Sequence, residues 1–506
     1  MNRVVIAALV GIAILLAAGP MADPESLTTE AVAEAPVRAA RPILAPARFQ
    51  HPAYQYALAR LEQDFDAVQA FRPSYPFWKH VFTIPDGAVA FGSVQDGRLL
   101  VTFPERSNWT RDGRWEDLSL KPVLQGQGMP ASRRQWRDRV VSLFEPQVGP
   151  VLHNATRGSI LLSNSGRYGG FLDEWSAIYE RFGVPAEIGL AQAIVESGLN
   201  GTIRSEARAV GFCQWLERNW NRMKGFAASV IEGHNQTTQA PYCAAYLVIL
   251  ATKYGSFVPA LSEHHSGAVN VGRTVINGER LGGHDIRERY FTGSGLAMRL
   301  RDLSLRGYRE IYRTYGPRSS LYAEMVFGNT FNVTELKAKI PQARIFAMRT
   351  PRAIPLSEIT RRSGLSPDEV RRFNPALVRQ VPRNATLYLP SYVADFGADV
   401  SFWHNAPHPT FAAVMNDFVR IDATVEQWDD PRFETVLRDF QKRFKATNTE
   451  EGSVMSAVLA YVAAEAYASR RSQILAEFRT SPRIRSLFER GVAQLEKVKP
   501  PDQTVR

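Results

Sequence analysis

Phe182-Gly-Val-Pro-Ala-Glu-Ile-Gly-Leu-Ala-Gln-Ala-Ile-Val-Glu-Ser-Gly-Leu-Asn200 is the stretch on which the reading of this chain turns. Pro185 is favoured in a first helical turn and Gly198 suits a left-handed C-terminal cap, so the segment predicts a three-turn helix between them. Ile188, Ala191, Ile194 and Val195 fall at helical spacing and form a stripe to bury. Glu196 sits in the last turn beside that stripe. There the partial negative end of the helix dipole and an apolar surround both disfavour a carboxylate, which predicts a raised pKa. Such a carboxyl suits general acid catalysis near neutral pH.

Outward from this helix, residues 159–335 read as mostly helical and hold the chemistry. Before them, residues 51–158 read as a small α+β module. A helical pattern from Tyr54 to Phe71 precedes strand-like runs at Val81–Ile84, Ala88–Phe91 and Leu99–Phe103, the last two joined by Gln95-Asp96-Gly97 as in a hairpin. After them, residues 345–392 predict a strand, a helix at Leu356–Ile359, a second at Leu365–Asn374 and a closing strand at Thr386–Pro390. Ser366 and Glu369 form a capping box with Pro367 at the first helical position. Residues 393–506 read as a helical C-terminal region, in which Gly452–Phe478 is Ala-rich and uninterrupted. The fold class is mainly α.

The chain has 506 residues, 45% hydrophobic and 22% charged, which is the composition of a globular protein of about three domains. With 61 Lys plus Arg against 50 Asp plus Glu, the net charge of +11 points to an acidic polymer as partner: nucleic acid, anionic lipid or bacterial wall. Met1-Asn2-Arg3 followed by the apolar run Val4–Ala18 reads as an export signal over residues 1–22. The run is short for a span of roughly 20 residues, and Pro20 spoils the cleavage site, so a cleaved signal and an uncleaved anchor are both open. The anchor would associate the protein with the inner membrane through residues 4–18. Residues 23–50, rich in Ala, Pro and Arg, read as a linker. Export removes nucleic acid as a partner, and no basic stripe with interleaved aromatics stands out.

Two cysteines exclude a disulfide-built scaffold and a structural zinc site. In an oxidising compartment Cys213 and Cys243 are free to pair, closing a loop worth about 3 to 4 kcal/mol. The alternative is two buried thiols.

Val195-Glu196-Ser197-Gly198-Leu199-Asn200, followed by Ala209-Val210-Gly211-Phe212-Cys213-Gln214, resembles the signature of lytic transglycosylases with the lysozyme-like SLT domain. Ala245-Tyr246-Leu247, Lys253-Tyr254-Gly255, Leu261-Ser-Glu-His-His-Ser-Gly267 and Leu321-Tyr322-Ala-Glu-Met-Val326 follow in the family's order. The resemblance covers roughly a third of the chain and implies a lysozyme-like helical catalytic domain at 159–335. It also implies that Glu196 is both acid and base, that Ser197, Asn200, Gly211, Gln214, His264 and His265 line the sugar groove, and that Tyr322 lies near the carboxyl. Two departures stand out: His264-His265 replaces the usual Tyr-Asn pair, and Phe212-Cys213 replaces Leu-Met before Gln214. A Cys213–Cys243 bridge would fix the Gln214 loop onto the following helix. The strand, helix, helix, strand order of 345–392 is similar to LysM modules, which bind N-acetylglucosamine polymers.

The resemblance implies peptidoglycan glycan strands as substrate and no cofactor. Glu196 would protonate the oxygen between N-acetylmuramic acid and N-acetylglucosamine, then take the proton from the muramoyl C6 hydroxyl as it attacks C1, leaving a 1,6-anhydro end. A hydrolytic muramidase on the same fold and a non-catalytic wall-binding scaffold are the alternatives. Ser197 reads equally as a helix cap, Gln214 as a turn residue and Tyr322 as a core aromatic. Glu263-His264-His265, with His284 and Asp285 nearby, lacks His-x-x-x-His spacing, so no metal site is expected.

Overall fold

A computed structural model describes residues 41–393 and 402–498, except 45, 47, 50, 107, 129, 131, 228–230, 304–305, 313–318 and 469. The signal or anchor at 1–22 and the linker as far as residue 40 lie outside the described residues. The chain is mainly helical.

Helix α1 (Pro52–Phe71) starts on His51, whose side chain accepts from the Ala53 N–H, and buries Tyr54, Ala57, Leu61, Phe65 and Val68. Helix α2 (Phe77–Thr83) takes in most of Val81–Ile84, where the sequence predicts a strand. The β-branched residues favour a strand only locally, whereas Phe77, Trp78, Val81 and Phe82 together bury a helical face. Strands β1 (Ala88–Ser93) and β2 (Leu99–Pro104) form the expected antiparallel hairpin, and Gly97 takes the left-handed conformation at φ 72°. With β3 (Arg114–Trp115) and β4 (Val151–Ala155) they make a sheet of order β3-β2-β1-β4, packed on α3 (Arg133–Val148). Its core of Phe91, Phe103, Trp109 and Phe144 is separate from the main one. Helices α1 and α2, grouped with this sheet in the sequence reading, contribute to the main core instead.

That core gathers α4 (Gly158–Tyr168), α5 (Leu172–Arg181), α6 (Ala186–Ser197), the short hairpin β5 (Ala209–Val210) and β6 (Trp215–Leu216), α7 (Gln236–Tyr254) and α8 (Phe257–Ser266). Helices α9 (Ala268–Arg280), α10 (Ile286–Asp302) and α11 (Tyr322–Lys339) also contribute to it. Helix α6 packs between α5 and α11. Trp78 Nε1 donates to Glu324 at 2.9 Å and so ties α2 to α11. The buried Asp64 carboxylate accepts from Ser256 Oγ at 2.6 Å, the Phe257 N–H at 2.7 Å and Arg287 Nε at 2.5 Å, which fixes α1 to α8 and α10.

Strand β7 (Ile345–Arg349) and, after the intervening pieces, β10 (Thr386–Pro390) pair antiparallel around α12 (Leu356–Ser363) and α13 (Pro367–Phe373). The predicted strand, helix, helix, strand order is present, with a second small pair, β8 (Ile354–Pro355) and β9 (Gln380–Val381). The capping box of Ser366 and Glu369 forms with Pro367 in the first turn. A small core of Phe346, Ile359, Val370, Leu387 and Leu389 holds this unit. Phe373 meets Phe171 edge-on at 5.0 Å, and Arg372 Nε donates to the Arg167 carbonyl at 3.0 Å.

The C-terminal helices are α14 (Pro409–Val419), α15 (Glu434–Ala446), α16 (Glu450–Ala468), α17 (Arg471–Thr480) and α18 (Pro482–Lys497). The stretch read as continuous from Gly452 to Phe478 breaks at Arg470, which adopts φ 49°. Phe411, Phe418, Phe444 and Met455 join the main core, while Phe478 and Phe488 pack on Ile276 and Leu300 of α9 and α10.

Candidate active site

Helix α6 ends as its sequence predicts. Gly198 adopts φ 57° and ψ 37°, and its N–H donates to the Ile194 carbonyl at 2.9 Å. The cap is braced from outside by Asn164 Nδ2, which donates to the Gly198 carbonyl at 2.9 Å. Glu196, in the last turn, keeps 13% of its side chain exposed in an otherwise buried surround. Tyr322, the first residue of α11, donates its hydroxyl to Glu196 Oε1 at 2.5 Å. From the end of α8, His264 Nε2 and His265 Nδ1 each lie 3.9 Å from the same oxygen. That is ion-pair range and too long for a hydrogen bond.

The two histidines differ. His264 is buried, with Nε2 2.8 Å from the Cys213 carbonyl, which makes that nitrogen the donor. His265 keeps 32% of its side chain exposed and lies flat on the Tyr322 ring, centroids 4.4 Å apart and planes within 8°. Behind His264 stand Tyr246, at 5.8 Å between ring centroids, and then Trp215 and Tyr461 of α16.

The electrostatics reverse one expectation. The Glu196 carboxyl was predicted above its ordinary value, and burial does push it up, but the polar contact with His265, the charges of His264 and His265 and the Tyr322 hydrogen bond outweigh burial and hold it below. His264 itself is pushed down by burial, against the pull of Glu196, and so tends to neutrality. The sequence reading counted the helix dipole and apolar stripe of α6 and could not count groups delivered by other helices.

The remaining expected residues are bonded within and around the hairpin loop that follows α6. Ser197 Oγ is buried and donates to the Ala193 and Phe212 carbonyls at 3.0 and 2.9 Å, which fastens the hairpin loop to α6. Gly211 adopts φ 82°, and a Cβ there would meet Gln239 Oε1 at 2.2 Å. That same oxygen accepts from the Phe212 N–H at 2.6 Å. Gln214, at φ 50°, donates Nε2 to the Ile203 and Gly211 carbonyls at 3.2 and 3.0 Å. Asn200 Oδ1 accepts from Thr202 in the next turn. Cys213 and Cys243 are joined in a disulfide, with Cα atoms 6.1 Å apart, that ties the loop to α7.

Glu196, His264, His265 and Tyr322 therefore converge, whereas Ser197, Gly211 and Gln214 direct their polar atoms into the loop. Two residues escaped the sequence reading. Gln192, one turn before Glu196 on the same face, contacts Tyr322. A polar residue at i−4 on an apolar helix was the available signal. Gln239 is fully buried and holds Phe212, but nothing in its local sequence marks it. Glu263 turns away to Lys253 and Tyr254, and among the described residues no three His, Cys, Asp or Glu side chains converge as metal ligands.

The arrangement offers a carboxyl with one open side, a phenol donor and two imidazoles, which is equipment for proton transfer to a bound group. No protein-family model matches the chain, and no curated protein matches it in sequence.

Proposed function

We propose that the protein is an exported peptidoglycan lytic transglycosylase. In this reading residues 159–335 form its lysozyme-like catalytic domain and 345–392 a LysM-like module that holds the glycan. The observation that carries the reading is the carboxyl of Glu196: it ends a buried helix, is 13% exposed, accepts from Tyr322 at 2.5 Å and has no carboxylate among its partners in the described residues. A conventional glycosidase needs two carboxyl groups, whereas a single one suffices when the substrate supplies the attacking hydroxyl.

The substrate is a glycan strand of alternating N-acetylglucosamine and N-acetylmuramic acid. Protonated Glu196 gives its proton to the bridging oxygen as the C1–O bond breaks. The sugar's N-acetyl group steadies the cation, and the muramoyl C6 hydroxyl closes on C1 while its proton passes to Glu196. A bound sugar strips water from the carboxyl and favours its protonated form. Export to the cell envelope, through a cleaved signal or an anchor at residues 4–18, brings the enzyme to this substrate.

The test is mass spectrometry of the fragments released from purified peptidoglycan by the wild type and Glu196→Gln. Anhydro ends about 18 Da lighter than reducing ends, absent with the variant, are expected (one water separates the two routes). Reducing ends would make the protein a muramidase. Retained wall binding without release would make it a scaffold.

A further inference from the structure

We propose that His265 is a second acid–base group of this site, the store from which Glu196 is supplied with the proton it delivers. The inference rests on the glycan-cleaving reading above and adds a residue to it. Its ground is geometric. His265 Nδ1 lies 3.9 Å from Glu196 Oε1, and 32% of the side chain meets solvent. The ring is stacked on Tyr322 with centroids 4.4 Å apart, and the proposed transfer requires the 3.9 Å gap to close. His264 cannot serve: its Nε2 is committed to the Cys213 carbonyl and it is buried. His265 thus reaches both water and the reacting carboxyl.

The ionisable groups that face His265 among the described residues are Glu196 from α6, Tyr322 from α11 and His264 from its own helix. Glu263 on the same helix is taken up by Lys253 and Arg471. Glu196 and His265 share protons as a pair. In the proposed resting state the pair carries one proton and Glu196 is the carboxylate, the form its neighbours favour. When a sugar displaces the water over Glu196, the proton moves from His265 Nδ1 to Glu196 Oε1 and from that carboxyl to the glycosidic oxygen, which keeps the bond's electron pair. The C6 hydroxyl returns a proton to Glu196 as its oxygen bonds to C1, and the pair regains its single proton. No proton is consumed over the cycle, and no second carboxylate is needed.

The experiment is the pH profile of kcat/KM on soluble glycan strands for the wild-type chain and His265→Asn, which keeps polarity and removes the titratable ring. The proposal expects the variant's alkaline limb to move toward acid by about one pH unit, so that kcat/KM falls more at neutral pH than on the acid plateau. A merely structural role would lower the rate by the same factor at every pH, and that result, or an unmoved limb, overturns the proposal. Should the variant not fold, the temperature dependence of the wild-type limb decides. An imidazole's limb shifts markedly with temperature and a carboxyl's hardly moves, so a stationary limb overturns the proposal. If wild type cleaves no glycan at any pH, the glycan-cleaving reading has failed as well, and that outcome is distinct from active wild type with an unmoved limb.

Discussion

Tyr322 touches both Glu196 and His265, donating to Glu196 at 2.5 Å while its ring stacks on that of His265. Tyr322→Phe separates the two tasks, because the ring remains and only the hydroxyl goes. Removing a hydrogen bond to a charged group costs about 2 kcal/mol, so a lower melting temperature is expected together with a roughly tenfold fall in kcat. The hydroxyl also helps to hold the Glu196 carboxyl down, so its loss lets that carboxyl rise and shifts the part of the pH–rate profile that Glu196 governs upward. An unchanged profile would show that the hydroxyl does not act on Glu196 in solution. At this scale the position of Glu196 was legible in the sequence, since Pro185 and Gly198 frame its helix. The resemblance also placed Tyr322 near Glu196 and His264 and His265 in its groove, but their joint lowering of its carboxyl was not legible, because it depends on how distant segments meet. Ser197 and Gln214 show the same divide: a motif places a residue along the chain but not the direction of its hydrogen bonds, and both turn inward.

Between elements, the most concentrated device is a buried quartet of charges. Lys253 of α7 lies 2.9 Å from both Glu263 of α8 and Asp429, and Arg471 of α17 lies 2.8 Å from Asp429 and 3.8 Å from Glu263. Two positive and two negative side chains are thereby paired out of water, next in sequence to His264. Breaking such a set by removing one member is worth about 3 to 5 kcal/mol, since it strands the others. Glu263→Gln is therefore expected to lower the denaturant midpoint strongly near neutral pH. Burial pushes the Glu263 carboxyl up, but Lys253, Arg471 and Tyr254 outweigh it and hold it below its ordinary 4.5. A depressed carboxyl stabilises fully above its unfolded value and loses that contribution as pH falls through the folded value. The gap between wild type and variant should accordingly narrow below about pH 4, and a gap that widened in acid would contradict the pairing. None of this network could be read from sequence, because Lys253 and Arg471 look like ordinary surface cations. The capping box at Ser366 and the hairpin at Gly97 were legible because their chemistry is local. Val81–Ile84 failed for the opposite reason, its helix being decided by packing on α11.

Across the whole molecule the C-terminal helices behave as part of the body that carries the site. Phe182 of that body stands 6.0 Å edge-on from Phe411, and Arg60 Nη2 donates to the Val419 carbonyl at 2.7 Å. Glu174 is bonded to His404 at 2.6 Å, and the buried Arg181 pairs with Glu451. A chain ending at residue 393 would take away His404, Glu451, Asp429 and Arg471 together, leaving Glu174, Arg181, Lys253 and Glu263 without these partners. Removing one partner of a buried pair costs about 3 to 5 kcal/mol; the pairs Glu174–His404 and Arg181–Glu451 would each lose a member, while Lys253 and Glu263 keep each other at 2.9 Å. A folded protein of this kind has only about 5 to 15 kcal/mol in hand, so these losses together with the apolar surface bared by removing Phe411, Phe418 and Met455 exceed the reserve. The truncated chain is expected to show no cooperative thermal transition by circular dichroism, although every residue around Glu196 is still in it. A sharp transition near that of the full chain would mean that the helical region is an appendage and that the core drawn through Phe411, Phe418 and Met455 is dispensable. The Ala-rich composition of Gly452–Phe478 announced helices but not where they dock. Docking here is decided by buried pairs such as Arg181 with Glu451, whose two members lie in separate regions of the sequence.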